Sequence, residues 1–199
     1  FKAASKKCEI AFDRGSYLWN LLQADPEKYI FHTVQHGVSW DIHKDKSLDK
    51  PYELPTNIAA GLNDVSKRTD WNRSALPEYA LPTETWREVV ARRKRHEDIK
   101  TKIIDGQIRS IEDFITLNLD IRQFARDVID GAEGPELVRA FWKALEEITV
   151  LDPACGSGAF LFAALDILED LYEACLDRMQ GFITDLDRSG NGKLGKLKD

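Results

Sequence analysis

Apolar positions recur at helical spacing through most of the chain. Ala4, Cys8, Ala11, Phe12, Leu18, Trp19 and Leu22 fall three or four residues apart and predict a helix over 1–22, with Gly15 as its weak point. Asp25-Pro26-Glu27 has the order of a helix start, aspartate as cap and proline in the first turn, and Gly37 supplies a stop. From 38 to 82 the period fades. Pro51, Pro55, Pro77, Pro82 and Gly61 predict an irregular connection holding at most a short helix near 58–65. Thr83 is placed to cap a long helix through Trp86, Val89, Val90, Ile99 and Ile103, ended by Gly106. Ser110, with Glu112 and Asp113, opens another whose stripe is Ile111, Phe114, Ile115, Asn118, Ile121, Phe124, Ala125 and Val128, closed by Gly131. Gly134-Pro135-Glu136 starts a third, carrying Leu137, Val138, Phe141, Trp142 and Leu145. The short link 129–136 predicts antiparallel neighbours, with Phe114, Ile121 and Phe124 packed on Leu137, Phe141 and Trp142. Only 149–152 reads as a strand, and the segment 160–179 that follows its loop reads as a helix.

Composition narrows the class. A chain of 199 residues buries one sizeable core or two small ones, and 43% hydrophobic with 31% charged residues is the balance of an ordinary soluble protein. A net charge of -6 argues against this piece as the main DNA-gripping surface, because phosphate binding wants a basic footprint. Cysteines at 8, 155 and 175 make neither a CxxC pair nor an even framework, which points to a reducing, cytoplasmic setting. No charged-then-apolar leader and no apolar run near the length of a membrane span are present.

The chemistry concentrates in Asp152-Pro153-Ala154-Cys155-Gly156-Ser157-Gly158-Ala159-Phe160-Leu161, which follows the β-leaning Ile148-Thr149-Val150-Leu151. An acidic residue at a strand end, two glycines one residue apart and then an apolar helix make a strand–loop–helix unit. Glycines let the loop backbone take positive φ and approach a ligand, and the helix N-terminus offers unpaired N–H groups to negative charge. A phosphate loop would need Gly, four residues, then Gly-Lys-Ser/Thr. The dinucleotide fingerprint needs a third glycine where Leu161 stands. The plain alternative is a strand-to-helix turn with a glycine cap.

This run resembles the first cofactor motif of adenine-specific DNA methyltransferases, which use S-adenosylmethionine, and within them the large single-chain methylases of type IIG restriction-modification and phage-exclusion systems. The resemblance implies that Asp152 accepts hydrogen bonds from the cofactor's methionine amino group, directly or through water. Ala154, Gly156 and Gly158 would keep the loop small, Cys155 and Ser157 would supply backbone and shape, and Pro153 and Phe160 complete the cofactor-binding set. The methionine carboxylate would face the helix N-terminus. The implied fold is mainly α with the start of an α/β class I methyltransferase (Rossmann-like) domain, its sheet incomplete. In that reading 1–82 is a helical region with an irregular connector, and 83–147 a helical region leading into the methyltransferase domain. Residues 148–180 are its first strand, cofactor loop and first helix, and 181–199 a flexible connector. A doubly wound sheet needs several more βα units than follow Gly158, so the chain is expected to be a fragment of a longer protein that acts on double-stranded DNA.

No catalytic residue is expected in this chain. The family's Asn/Asp-Pro-Pro-aromatic motif, which holds the target amine and stacks on the flipped base, is missing. The nearest string, Asp49-Lys50-Pro51-Tyr52, has one proline and precedes the cofactor motif. Glu169, Asp170 and Glu173 fall inside the predicted helix, where a ribose-binding acid should sit at a strand end. An RNA or protein methyltransferase with the same loop, or a non-catalytic helical module that positions DNA or binds a partner, are the competing readings.

Other features have bland readings. His32 and His36 stand one turn apart with His43 beyond, but HExxH is absent and no metal is expected. The run from Asp185 opens like a calcium loop, yet its twelfth position is Lys196 where a bidentate glutamate is wanted. Arg92-Arg93-Lys94-Arg95-His96 is the dense basic cluster. It fans around a helix, which predicts a solvated face with partners such as Glu88 and Glu97, or weak phosphate contacts from Arg92, Arg93, Lys94 and Arg95. Core packing is the expectation for Trp19, Trp40, Trp71, Trp86 and Trp142.

Overall fold

The computed structural model describes residues 2–7, 17–37 and 53–188. In chain order the α-helices are α1 (Lys2–Lys7), α2 (Tyr17–Ala24), α3 (His32–Gln35), α4 (Thr56–Asn63), α5 (Trp86–Ile104), α6 (Ile111–Leu117), α7 (Ile121–Asp130), α8 (Pro135–Glu146) and α9 (Ala159–Arg188). Short 3-10 helices cover Pro26–Tyr29 and Val65–Lys67. Among the described residues there is no strand, only an isolated antiparallel bridge between Ser74 and Thr85. The chain forms two compact units, residues 26–107 and residues 1–25 with 108–199.

In unit 26–107 the long helix α5 buries Trp86, Val89, His96, Ile99 and Ile103 on one side. Its cap is Thr85, not Thr83: the Thr85 N–H and hydroxyl donate to Glu88 Oε2 at 2.7 and 2.8 Å, so the glutamate expected to pair with Arg92 serves the helix end instead. Ile58, Trp71, Ala80, Trp86 and Val89 form one apolar cluster. Trp71 Nε1 donates to the Ile58 carbonyl at 3.1 Å. Gly61 leaves room for that indole, since a Cβ there would lie 2.5 Å from Nε1.

Polar groups hold the rest of this unit. Arg92 is nearly buried, its side chain 10% exposed, and it makes a bidentate pair with Glu84, with Nε and Nη2 each 2.8 Å from a carboxylate oxygen. The same guanidinium donates to the carbonyls of Thr33, Val34, His36 and Tyr79 at 2.7–3.3 Å. The expected phosphate contact from Arg92 is therefore corrected: its donors are taken by carbonyls that lie far away in sequence and by one acid. Arg93 is partly buried with its guanidinium 5.6 Å from the Tyr79 ring centre, and only Lys94 and Arg95 of the run are exposed. Buried His96 places Nε2 2.8 Å from Glu27, which Lys100 also meets at 2.6 Å. Burial pushes the Glu27 carboxyl up, but hydrogen bonds with Lys100 and His96 outweigh it and hold its pKa below the usual range.

In the other unit α9 lies against both α7 and α8, α1 against α8, and α2 against α7. Trp19 stacks on Phe124 with ring centres 6.1 Å apart, and Phe124 on Phe114 at 4.5 Å. Leu18, Phe114, Phe124, Val128, Ile129 and Val138 of this unit are fully buried, with Phe141 at 3%. Thus the predicted burial of Phe124 and Phe141 is observed, whereas Trp142 meets Tyr172 of α9 edge-on at 4.9 Å. The helix predicted from Ser110 to Gly131 is two. Asn118 takes a left-handed conformation (φ 55°) that ends α6, and the Asp120 carboxylate accepts the Gln123 N–H to cap α7. Asp170 of α9 pairs with Arg122 and Arg126 of α7, and Arg178 Nε donates to the Ala132 carbonyl at 2.9 Å. α9 continues through Gly181 to Arg188, so Asp185 and Asp187 lie on a helix, and Lys196 lies outside the described residues.

The expected strand at 149–152 is absent, and with it the start of a sheet. Residues 148–152 form an irregular connection, and the N–H groups of Thr149, Val150 and Leu151 meet no acceptor among the described residues. A strand exists through its ladder; without a neighbour to pair with, a β-leaning sequence stays unassigned.

Candidate functional site

The candidate loop, 152–158, sits at the N-terminus of α9. Gly156 has φ +51° and Gly158 φ +78°. Space alone would admit a side chain at both: a Cβ on Gly156 would lie 3.8 Å from the nearest atom, and one on Gly158 3.4 Å from the Phe162 ring. Backbone conformation is what favours glycine here, since L residues rarely adopt the left-handed region.

The turn is closed by the Gly158 N–H donating to the Cys155 carbonyl at 2.6 Å, and the Phe162 N–H donating to the Gly158 carbonyl at 2.9 Å begins the helical ladder. The N–H groups of Ala159, Phe160 and Leu161 have no acceptor among the described residues and mark the positive end of the helix dipole. Asp152 folds back on the loop, its Oδ1 accepting the Ala154 N–H at 3.0 Å. Its Oδ2 is shielded from solvent and has no hydrogen-bond partner among the described residues. The loop thus carries a desolvated carboxylate oxygen at its start and, where α9 begins, three N–H groups without an acceptor among the described residues. Such an arrangement suits a zwitterionic group, its ammonium toward Asp152 and its carboxylate toward the helix end.

The structure thus brings Asp152, Ala154, Gly156 and Gly158 into one short loop. Pro153, Ala154, Cys155, Gly156 and Ser157 are exposed, and Phe160 stands out on α9 at 80% exposure. Of the acids considered for a ribose, Glu169 and Glu173 are exposed on α9, and Asp170 is held by Arg122 and Arg126. Among the described residues no group of three His, Cys, Asp or Glu side chains could hold a metal. His32 is exposed and His36 buried, and burial, then His32, His96 and Arg93, pull the His36 pKa from 6.5 down to about 4. His43 and the Asp49–Tyr52 string lie outside the described residues, as does Trp40. Sequence reasoning missed the Arg92–Glu84 hub, whose one signal was a charge run inside an otherwise well-capped helix.

No family model matches the chain, and neither the curated proteins nor the solved structures gave a match. Among the described residues no helix is long and apolar enough to cross a membrane.

Proposed function

We propose that this chain is part of a site-specific adenine DNA methyltransferase and that the 152–158 loop receives the methionine end of S-adenosylmethionine. The observation that carries the reading is the pair of left-handed glycines between the orphaned Asp152 Oδ2 and the free N–H groups of α9. The donor set fits the group: Asp152 accepts from the ammonium, the amides of 159–161 receive the carboxylate, and side-chain-free Gly156 and Gly158 allow close approach. When bound, the cofactor supplies an electrophilic methyl group on a sulfonium. The choice of an adenine amine in DNA rests on the sequence resemblance, as does the setting in restriction-modification or phage defence. An RNA or protein methyltransferase is separated from it by the amine-binding motif, which is not in this chain. A helical DNA-positioning module would want a basic face and a collapsed glycine loop, whereas Arg92 is withdrawn into the protein and the loop is open.

The test is an amide-resolved NMR titration of the chain with S-adenosylmethionine, S-adenosylhomocysteine and adenosine. Binding at the methionine end shifts the amides of Gly156, Gly158 and 159–161 with the first two ligands and not with adenosine. Asp152→Asn weakens the effect and Gly156→Val abolishes it, because a β-branched residue tolerates positive φ poorly. Affinity is expected to be weak and methyl transfer absent, the ribose and adenine walls having no candidates here. Shifts confined to other residues, or none at millimolar ligand, would overturn the assignment.

A further inference from the structure

We infer that residues 26–37 form an acid-released strap, held against α5 while the buried His36 is neutral and let go when its imidazole takes up a proton. The strap is held at three points. At its start the Glu27 carboxylate meets His96 Nε2 at 2.8 Å and Lys100 Nζ at 2.6 Å. Toward its end one nitrogen of α5, Arg92 Nη1, donates to the carbonyls of Thr33, Val34 and His36 at 3.2–3.3 Å. At its close Gly37 lies against the backbone of 77–80, where a Cβ would stand 2.6 Å from the Pro77 carbonyl oxygen and 2.7 Å from the Ala80 nitrogen. Three carbonyls sharing one nitrogen at the long end of the hydrogen-bond range make a weak middle anchor. The strap can also leave without dissolving what lies beneath it, since Arg92 Nε and Nη2 keep Glu84 and the Tyr79 carbonyl.

The surroundings of His36 oppose a second cationic centre. The residue is 7% exposed. His32 and Glu27 face it from its own segment and His96 and Arg93 from α5, while the Arg92 guanidinium, paired with Glu84, touches its carbonyl. The 77–80 turn against Gly37 adds the Tyr79 phenol and the exposed Glu78. Between strap and α5 the carboxylate on hand is Glu27, already shared by Lys100 and His96. A proton on His36 therefore adds positive charge to a desolvated site beside two guanidiniums. In water the same imidazole accepts that proton freely, so acid favours the state in which His36 is outside. The His36 pKa of about 4 agrees with this. Glu27 has its pKa held below 4.5 and keeps its charge over the range in which His36 acts, so the first anchor does not let go by itself. Tyr29 and Ile30, buried in the closed strap, keep it shut at neutral pH.

Amide hydrogen exchange of the whole chain, read by NMR at neutral pH and at a pH two units lower and corrected for the intrinsic pH dependence of exchange, reports the opening of each segment. The amides of Val34 and His36 donate to the carbonyls of Phe31 and His32 at 2.8 Å and open only with the strap. Their opening equilibrium should rise roughly tenfold or more in acid, while that of Arg87 and Val89, in the cluster beneath, should change by less than about twofold. His36→Gln should remove the dependence. Gly37→Ala, which pushes the strap off by contact and not by charge, should raise opening already at neutral pH. Where His36→Gln loses its helix by circular dichroism, the His36 imidazole signal of the unaltered chain decides: it should titrate well below its ordinary 6.5. Opening that is equal at the two pH values, that rises together with Arg87 and Val89, or that persists in His36→Gln would overturn the inference. So would an imidazole titrating at 6.5 while the Val34 and His36 amides stay protected.

Discussion

Helices α5 and α9 invert what their composition suggests. α5 contains the basic run, yet Arg92 and His96 are buried in its unit; α9 opens with Phe160, Leu161 and Phe162, and those aromatic rings stand exposed. Burial follows partners. Arg92 finds a carboxylate and four carbonyls, each an acceptor that would otherwise cost free energy to desolvate, so its charge can leave water. Phe160, Phe162 and Leu165 at the start of α9 remain largely exposed, so their hydrophobicity stays available for binding. One helix is finished as a structural element and the other is open.

The sharpest way to break this contrast is to remove Arg92. Arg92→Ala would strand the nearly buried Glu84 carboxylate and the carbonyls of Thr33, Val34, His36 and Tyr79. Breaking a buried pair by removing one partner costs about 3–5 kcal/mol. Arg92→Lys should recover only part of it, because an ammonium cannot reproduce the bidentate fork. Urea unfolding of the two variants checks this, and a loss below about 0.5 kcal/mol, the scale of an ordinary surface change, would mean that the hub is solvent-coupled after all. Phe124→Ala should cost a similar amount, about 3–5 kcal/mol, by opening a cavity between Trp19 and Phe114. The same urea unfolding with Phe162→Ala should show little change.

Helix positions were legible wherever a stop and a start were written in side-chain chemistry. Ser110 with Asp113, and Gly134-Pro135, gave their helix starts directly. The break at Asn118 hid inside an unbroken apolar stripe, because asparagine can continue a period or end it in the left-handed region. Thr83 and Thr85 are alike as caps on paper; the one three residues before Glu88 forms the box. The loop was legible because spaced glycines have few other uses. The strand before it was not, since a strand needs a neighbour and no sequence window of one strand contains that neighbour. Arg92 is illegible in a sequence window for a related reason: its partners stand as far as 59 residues away.

A pH series sharpens the picture of the finished unit. Burial holds the His36 pKa at about 4 against an ordinary 6.5, with His32, His96 and Arg93 opposing its protonation and Glu27 favouring it. The folded state therefore binds fewer protons than the unfolded state between these values. Stability contributed by neutral His36 is full above about 6.5, declines as pH falls toward 4, and is constant below. Glu27 and Glu88, whose pKa values are lowered, lose their contribution only as pH falls through 4.5 and below. Between 4.5 and 6.5 the histidine thus lowers stability as pH falls, while Asp130, whose carboxyl burial pushes up, acts in the opposite direction where it titrates. Thermal midpoints should fall through that window, and His36→Gln should flatten the slope; an unchanged slope would show that His36 titrates freely.

The smallest expected effect compares two leucines, each on a helix. Leu18 in α2 is fully buried and Leu165 in α9 is 55% exposed. Leucine and glutamine have nearly the same helix propensity, so exchanging one for the other leaves burial as the main variable. Leu18→Gln places an amide at a position closed to solvent and should cost several kcal/mol, about 2–5 on the scale of core truncations with an unsatisfied polar group added. Leu165→Gln moves a side chain that is already largely in water and should change stability by less than about 0.5 kcal/mol. Equilibrium unfolding in urea measures both on one scale, with the slope of the transition confirming that the same surface is exposed. A cost at Leu165 approaching that at Leu18 would mean that the start of α9 is covered in the isolated chain, and the contrast between an open helix and a finished one would then be lost.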